Sequence, residues 1–359
     1  MPGVQTIAIE ADDADQRIDR WLRRRFPQLS QGRIEKMLRK GELRVDGARA
    51  KASTRLEAGQ VVRVPPMPDE TPEYLAKREA ERAEQRARIS PADAEMIRAA
   101  VVWRDDHLIV LDKPAGLAVQ GGSGQSERHV DGLSEALKFG AEERPKLVHR
   151  LDRDTSGVLV LARTAAAARA LTASFRHRDT RKVYWALTSG VPDPEQGAIR
   201  WGLVKAGGRG AGGEGEKMRR VHPDEVATTE GAKRALTEYQ VFEAVGNRAA
   251  WVALSPITGR THQLRAHMAA LGTPIAGDGK YGGSGLTNEG EGWGAQLGGV
   301  ISRKLHLHAR SLTFEHPGTK RLMTVVAPLP EHMRRTWDTF GWKVKNAPPH
   351  PFDPDRAKG

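Results

Sequence analysis

No cysteine occurs among the 359 residues. Its absence excludes disulfide staples, thiolate zinc sites and every reaction that starts from a Cys nucleophile. Long apolar runs are missing too. The longest are of strand length, well short of the roughly 20 residues that a membrane-spanning helix needs, and no basic amphipathic helix stands out as a surface anchor. Residues 1–15 hold no basic segment followed by an apolar one, so a secretory signal is not expected and a cytoplasmic protein is. Acidic residues are in deficit, 45 against 57 Lys and Arg, which leaves a formal net charge of +12 and an isoelectric point near 10.0. Like charges on a surface repel unless something negative lies nearby, and nucleic acid is the commonest such partner. A hydrophobic fraction of 38% is enough for real cores, and the length allows two or three domains.

The positive charge is unevenly spread. Residues 17–63 carry fourteen Lys or Arg against five Asp or Glu, a net of +9. Ile18, Trp21 and Leu22 have helical spacing, Ser30 reads as an N-cap, and Ile34, Met37 and Leu38 form a second apolar stripe that Gly41 ends. Strands are expected near residues 43–45 and 60–64, with turns at Asp46-Gly47 and Ala58-Gly59. Residues 14–65 are therefore taken as a small basic module, with Arg33, Lys36, Arg39 and Lys40 as its phosphate contacts. Four prolines between 65 and 72 open a charged linker over residues 66–98, whose run 73–88 has helical character. Residues 99–328 alternate strands and helices irregularly, and residues 329–359 read as a C-terminal extension with a disordered tail. Segments 206–215 and 282–299 are glycine-rich and look like insertions. Gly208, Gly210 and Gly213 mimic a dinucleotide fingerprint, but no strand and helix flank them.

Charge is densest at residues 149–157, H-R-L-D-R-D-T-S-G, directly before the apolar run V-L-V-L-A. A guanidinium beside a carboxylate favours the ionised form that a nucleophile or general base requires, which singles out Asp152 and Asp154. An ordinary loop has similar composition. A calcium loop fails at its twelfth position, which is Arg163. A kinase loop fails because Leu151 interrupts the His-Arg-Asp order. Three further segments pair glycine or aromatics with charge. Residues 109–117 form a strand and turn that would carry Lys113 to a phosphate. Residues 181–187 place Tyr184 on a basic strand, and residues 258–267 set Arg260 and Arg265 at the start of an amphipathic helix.

Residues 16–64 resemble the S4 RNA-binding domain, through Ser30, Arg33, Ile34, Leu38, Gly41, Leu43, Val45, Asp46, Gly47, Gly59 and Val61. Residues 101–326 resemble the RluA family of pseudouridine synthases. The family pattern H-R-L-D-x-x-T-S-G stands at 149–157, K-x-Y-x-A-L at 182–187 and G-R-T-H-Q-[IL]-R-x-H at 259–267. Gly272-Thr273-Pro274-Ile275, Gly277-Asp278, Tyr281-Gly282, Leu307-His308-Ala309, Phe314 and His316-Pro317 continue the match. After K-P-A-G, the run V-Q-G-G-S-G is similar to the RluC-like branch, with Gln120 in place of the expected His.

The resemblance implies an α+β fold whose central sheet is mixed and largely antiparallel, with flanking helices and a separate S4-like α/β module. It implies an RNA pseudouridine synthase acting on large-subunit (23S) ribosomal RNA, with Asp152 as nucleophile or base and Asp154 at a variable position. The carboxylate either adds to C6 of the base, or assists its departure and takes a proton from C2′. Arg265, with Arg260 as the weaker alternative, is expected to pair with Asp152 in a charge-assisted contact, single or bidentate. Tyr184 is expected to stack on the base and to assist proton removal from C5. Arg150 is expected to fill the gap left by the extruded nucleotide, a salt bridge to Asp152 or Asp154 being the other reading. No metal or organic cofactor is implied, and a monomer acting on ribosome-assembly intermediates is expected. Two rivals use the same features: an RNA-binding protein without catalysis, which has no need of Asp152 and Arg265, and an N-glycosidase that hydrolyses the same bond.

Overall fold

Strands with apolar side chains at successive positions bury both faces, and three such runs dominate the chain: Leu108–Lys113, Ser156–Ala162 and Ala249–Pro256. The computed structural model describes residues 4–26, 29, 31–66, 89–121, 128–175, 180–206, 217–282, 301–348 and 351–352. The expected cap at Ser30, the charged run 73–88, residues 122–124 and most of both glycine-rich segments lie outside the described residues, as does the end of the tail. The chain divides into two units, residues 1–87 and 88–359.

In the first unit, β1 (Gln5–Ala8), β4 (Val61–Val64), β2 (Arg44–Val45) and β3 (Ala48–Arg49) form an antiparallel sheet in that order. Helices α1 (Ile18–Arg25) and α2 (Gln31–Lys40) share its core through Ile18, Trp21, Leu22, Ile34, Met37 and Leu38. Asp46 and Gly47 both have positive φ, 47° and 78°, as the tight hairpin between β2 and β3 requires. The Asp46 carboxylate also accepts a bond from Val61 N at 2.8 Å. Arg33, Lys36, Arg39 and Lys40 are exposed on α2, opposite its buried stripe. Strand β1 was not anticipated. Its alternate residues are only half-buried, so its apolar signal is weak.

The second unit is built on a ten-stranded sheet. Its main path runs β10 (Gln196–Ile199), β13 (Thr237–Val245), β14 (Ala249–Pro256), β9 (Arg181–Ser189), β15 (Leu307–Glu315), β8 (Ser156–Ala162), β6 (Leu108–Lys113) and β5 (Val101–Arg104). Strand β16 (Leu322–Val326) joins β15, β7 (Lys146–Leu147) joins β8, and β11 (Gly202–Lys205) and β12 (Met218–Val221) form a separate hairpin. Among the described strands every ladder is antiparallel except that between β8 and β15. Alternate residues of β8 serve different cores. Leu159 and Leu161 pack with Ile97 of α3 (Pro91–Ala99) and Leu133 of α4 (Val130–Leu133), whereas Val158 and Val160 pack with Leu171 of α5 (Ala165–Ser174). Strand β14 does the same, sending Val252 and Leu254 towards Leu264 and Met268 of α6 (Gln263–Ala270) and Trp251 towards α7 (Glu331–Phe340).

Two boundaries differ from the sequence reading. Helix α3 begins within the stretch taken as linker, where the Ser90 hydroxyl accepts from Asp93 N at 3.1 Å and Pro91 occupies the first turn. Beyond residue 328, Met333, Trp337 and Trp342 pack on Trp185 and Trp251, so this segment closes a core.

Candidate active site

The parallel contact between β8 and β15 sets up the site. Gly157 has φ 107°, and a Cβ there would stand 2.2 Å from the carbonyl oxygen of Ala309. Only glycine permits that approach. Beside it, the buried Ser156 hydroxyl lies 2.9 Å from His308 Nδ1. Burial pulls the His308 pKa down to about 3, and Nε2 faces the Ala327 carbonyl at 3.4 Å. The neutral ring therefore carries its proton on Nε2, and Ser156 donates to Nδ1. The loop carrying Asp152 thus leaves the sheet from a locked junction.

Lys113 holds that loop from beneath. Its side chain is fully buried, and its ammonium donates to the carbonyls of Pro114, Leu117 and Arg153 at 2.8, 2.8 and 2.9 Å. The same Arg153 carbonyl accepts from Gly116 N at 2.9 Å. Burial pulls the Lys113 pKa down to about 7, against the pull of Asp154, Asp152 and Asp112. The expectation that Lys113 reaches a phosphate is therefore corrected: all three donors are spent on backbone. His149 is half-buried in the cavity wall, its Nε2 accepting from Val160 N at 2.9 Å, and desolvation lowers its pKa to about 3. Leu151 points into the core. Asp152 alone of the motif's two carboxylates faces the cavity. Asp154 faces away and pairs with Arg153 at 3.1 Å.

The cavity measures about 340 Å³, and Arg150, Asp152, Tyr184, Arg260, His262 and Arg265 line it. Tyr184 comes from β9, where it pairs with Leu254 and Ala309. Burial, and then the Asp152 charge, push its phenol pKa well above the usual value, so the ring is neutral. Arg150 is exposed at the rim, and neither of the expected salt bridges forms among the described residues. Arg260 is also exposed and donates through Nε to the Arg234 carbonyl at 3.1 Å. Arg265, not Arg260, meets Asp152, with Nη1 3.6 Å from Oδ2.

Of the two forms of that contact, Arg265 and Asp152 make the single one. Arg265 directs its fork at Asp278, with Nε and Nη2 donating at 2.7 and 2.8 Å. Burial works against the Arg265 charge, but the Asp278 bonds and charge, with Asp152, raise its pKa overall. Asp278 also accepts from the backbone of Lys280 and Tyr281 at 3.0 and 3.2 Å. His262 stands 3.9 Å from Asp152 Oδ2 through Nε2, held there by a left-handed backbone of φ 51°. Its Nδ1 lies 3.1 Å from the Tyr281 hydroxyl. The rest of the G-R-T-H-Q-L-R-A-H segment is anchorage. Gln263 bonds the Leu236 carbonyl and Thr237, and His267 joins Thr237 to the Trp201 carbonyl.

Asp278, Tyr281 and His262 were given no role by the sequence reading, although all three stood within the matched pattern. The signal available was Asp278 beside Gly277. A Cβ on Gly277 would stand 2.1 Å from the Lys304 carbonyl oxygen, and φ there is 75°, marking a turn built to tight tolerance.

The model of the RNA pseudouridylate synthase family matches residues 107–270, and that of the S4 domain matches residues 16–62. The chain is 38% identical to the ribosomal large subunit pseudouridine synthase C of Vibrio cholerae serotype O1, over 92% of this chain and 95% of the relative. It is 37% identical to the protein of that name in Escherichia coli K12, over 96% and 98%. The structure of human RNA pseudouridylate synthase domain containing 4 superposes with a TM-score of 0.54 at 31% identity, covering 68% of this chain and 94% of that one. With its S4 domain, its largely antiparallel mixed sheet and its Asp152–Arg265 cavity, the chain belongs to the RluA family of RNA pseudouridine synthases, in the RluC-like branch.

Proposed function

We propose that this protein isomerises specific uridines of large-subunit (23S) ribosomal RNA, with Asp152 acting as nucleophile or base on an extruded nucleotide. One observation carries the proposal: Asp152 is the single carboxylate among the described residues lining the cavity, and a buried arginine faces it. In the reaction the bond between C1′ and N1 breaks and a bond between C1′ and C5 forms. C5 loses its proton and N1 gains one, so nothing is consumed and no step requires a metal or an organic cofactor. An ionised carboxylate serves either route, adding at C6 or taking a proton from C2′. Tyr184 offers its neutral ring as a stacking face, while Arg150 and Arg260 at the rim meet phosphates and the vacated base position.

Extrusion costs on the order of a few kcal/mol, since C1′ and C5 are inaccessible within a stacked helix. Basic contacts offset that cost, and the exposed cations of α2 add sequence-independent hold on the RNA. Unfolded stretches of rRNA in assembly intermediates offer the target at lower cost than the finished subunit, and a monomer suffices to act on them. The relatives' names point to the large-subunit RNA as substrate. The experiment is to map pseudouridine in 23S RNA from cells lacking the protein and from cells complemented with wild type or Asp152→Asn. Pseudouridines absent from both the deletion and the Asn strain support the proposal. A complete set in the deletion strain refutes the assignment of substrate.

A further inference from the structure

The hydrogen-bond inventory around Asp152 leads beyond the Asp152–Arg265 pair. The Tyr281 hydroxyl accepts from Met218 N at 2.8 Å and lies 3.1 Å from His262 Nδ1. If Nδ1 carried the imidazole proton, the phenol proton would have no acceptor among the described residues. With the ring proton on Nε2 instead, Tyr281 donates to Nδ1 and the Nε2–H faces the Asp152 carboxylate. A neutral imidazole then bears its proton on Nε2, the atom 3.9 Å from Asp152 Oδ2. Arg265 Nη1 approaches that same oxygen at 3.6 Å. Oδ1 meets no donor among the described residues.

We propose that His262 is a positioning residue for Asp152: the Tyr281–His262 pair presents a fixed Nε2–H to Oδ2, shared with Arg265, so that Oδ1 is the oxygen offered to the nucleoside. This inference rests on the synthase reading and adds to it the choice of reacting oxygen. The 3.9 Å separation is long for a hydrogen bond, and such contacts shorten when substrate closes the site. The left-handed backbone at His262 is the local cost of aiming the ring into the cavity. Tyr281 serves both partners, because Arg265 also lies over its ring at 5.3 Å. The groups facing His262 are Asp152, Arg265, Lys280, Asp278 and Tyr281. Burial, opposed by Asp152, lowers the His262 pKa, which keeps the ring neutral at neutral pH.

The test uses the full-length protein and C5-tritiated rRNA fragments. His262→Asn suits the left-handed backbone but brings no N–H to Oδ2, whereas His262→Gln reaches the Nε2 position with an amide donor. We expect His262→Asn to lower kcat about tenfold or more with little change in KM, and His262→Gln to recover most of it. Tyr281→Phe should reproduce part of the kcat loss in wild type and add nothing in the His262→Asn background. Unchanged kcat in His262→Asn, no recovery of kcat in His262→Gln, or independent losses in the double variant would overturn the proposal. Wild-type protein that releases no tritium would sink the synthase reading itself, a separate outcome.

Discussion

Asp278→Asn separates holding Arg265 from reacting with substrate, since Asp278 lies behind the arginine and does not line the cavity. The substitution keeps shape and one carbonyl oxygen but removes the charge and replaces the other acceptor with an NH2 donor. The Asp278 side chain is fully buried and that of Arg265 is 7% exposed, so water cannot compensate. One of the two bonds, at 2.7 and 2.8 Å, must be lost, leaving a buried guanidinium donor facing another donor. An unsatisfied buried donor costs about 1–3 kcal/mol, and removing one partner of a buried ion pair typically costs about 3–5 kcal/mol. Asn retains some bonding, so we expect a loss near 3 kcal/mol in urea unfolding of the full chain. Arg265 then turns towards the one anion left, Asp152, and draws it out of position. Tritium release from C5-labelled RNA at saturating substrate should fall about 10–100-fold, with RNA binding retained. An unfolding midpoint and kcat both equal to wild type would refute the view that Asp278 holds Arg265 for Asp152.

Three further outcomes follow from the packing and charge. Gly157→Ala must accommodate a Cβ 2.2 Å from the Ala309 oxygen at φ 107°, so it should cost about 3 kcal/mol or more; a urea midpoint near wild type would contradict the parallel junction. The Lys113 pKa is about 7 when folded and its ordinary value when unfolded, so between pH 7 and about 10 the unfolded chain binds more protons. Stability should therefore rise with pH in that window, and Lys113→Met should flatten the rise; an unchanged slope would show that the ammonium is not the cause. Arg33→Glu with Lys36→Glu should weaken rRNA binding across sequences and reduce the log–log salt slope by about 2, and an unaltered slope would remove these side chains from the interface.

The parts of this molecule that read well from sequence are those whose cause is local. Apolar residues at successive positions in β6 and β8 announced core strands. The spacing of H-R-L-D with the Tyr184 and Arg265 segments named the groups that share the cavity. Failures arose where the decisive partner is distant or the environment reverses a side chain's habit. Lys113 looked like a phosphate ligand because lysine is usually solvated, and the P-A-G turn instead folds carbonyls onto it. Arg265 was paired with Asp152 alone, because nothing in the pattern distinguishes Asp278, 13 residues on, as the partner of its fork. The segment after residue 328 looked peripheral because Trp337 finds Trp251 only through the tertiary fold. His262 was invisible as a site residue, since a left-handed backbone at a non-glycine position leaves no compositional trace.

The central claim is that Asp152 performs the isomerisation, and the most direct measurement is tritium release from C5-labelled 23S RNA by wild-type protein and by Asp152→Asn. Forming the new bond at C5 must expel that hydrogen. The account predicts release stoichiometric with pseudouridine for wild type, and none above background for Asp152→Asn at equal RNA binding. Release by the variant at an undiminished rate would contradict it, and so would free uracil as the wild-type product.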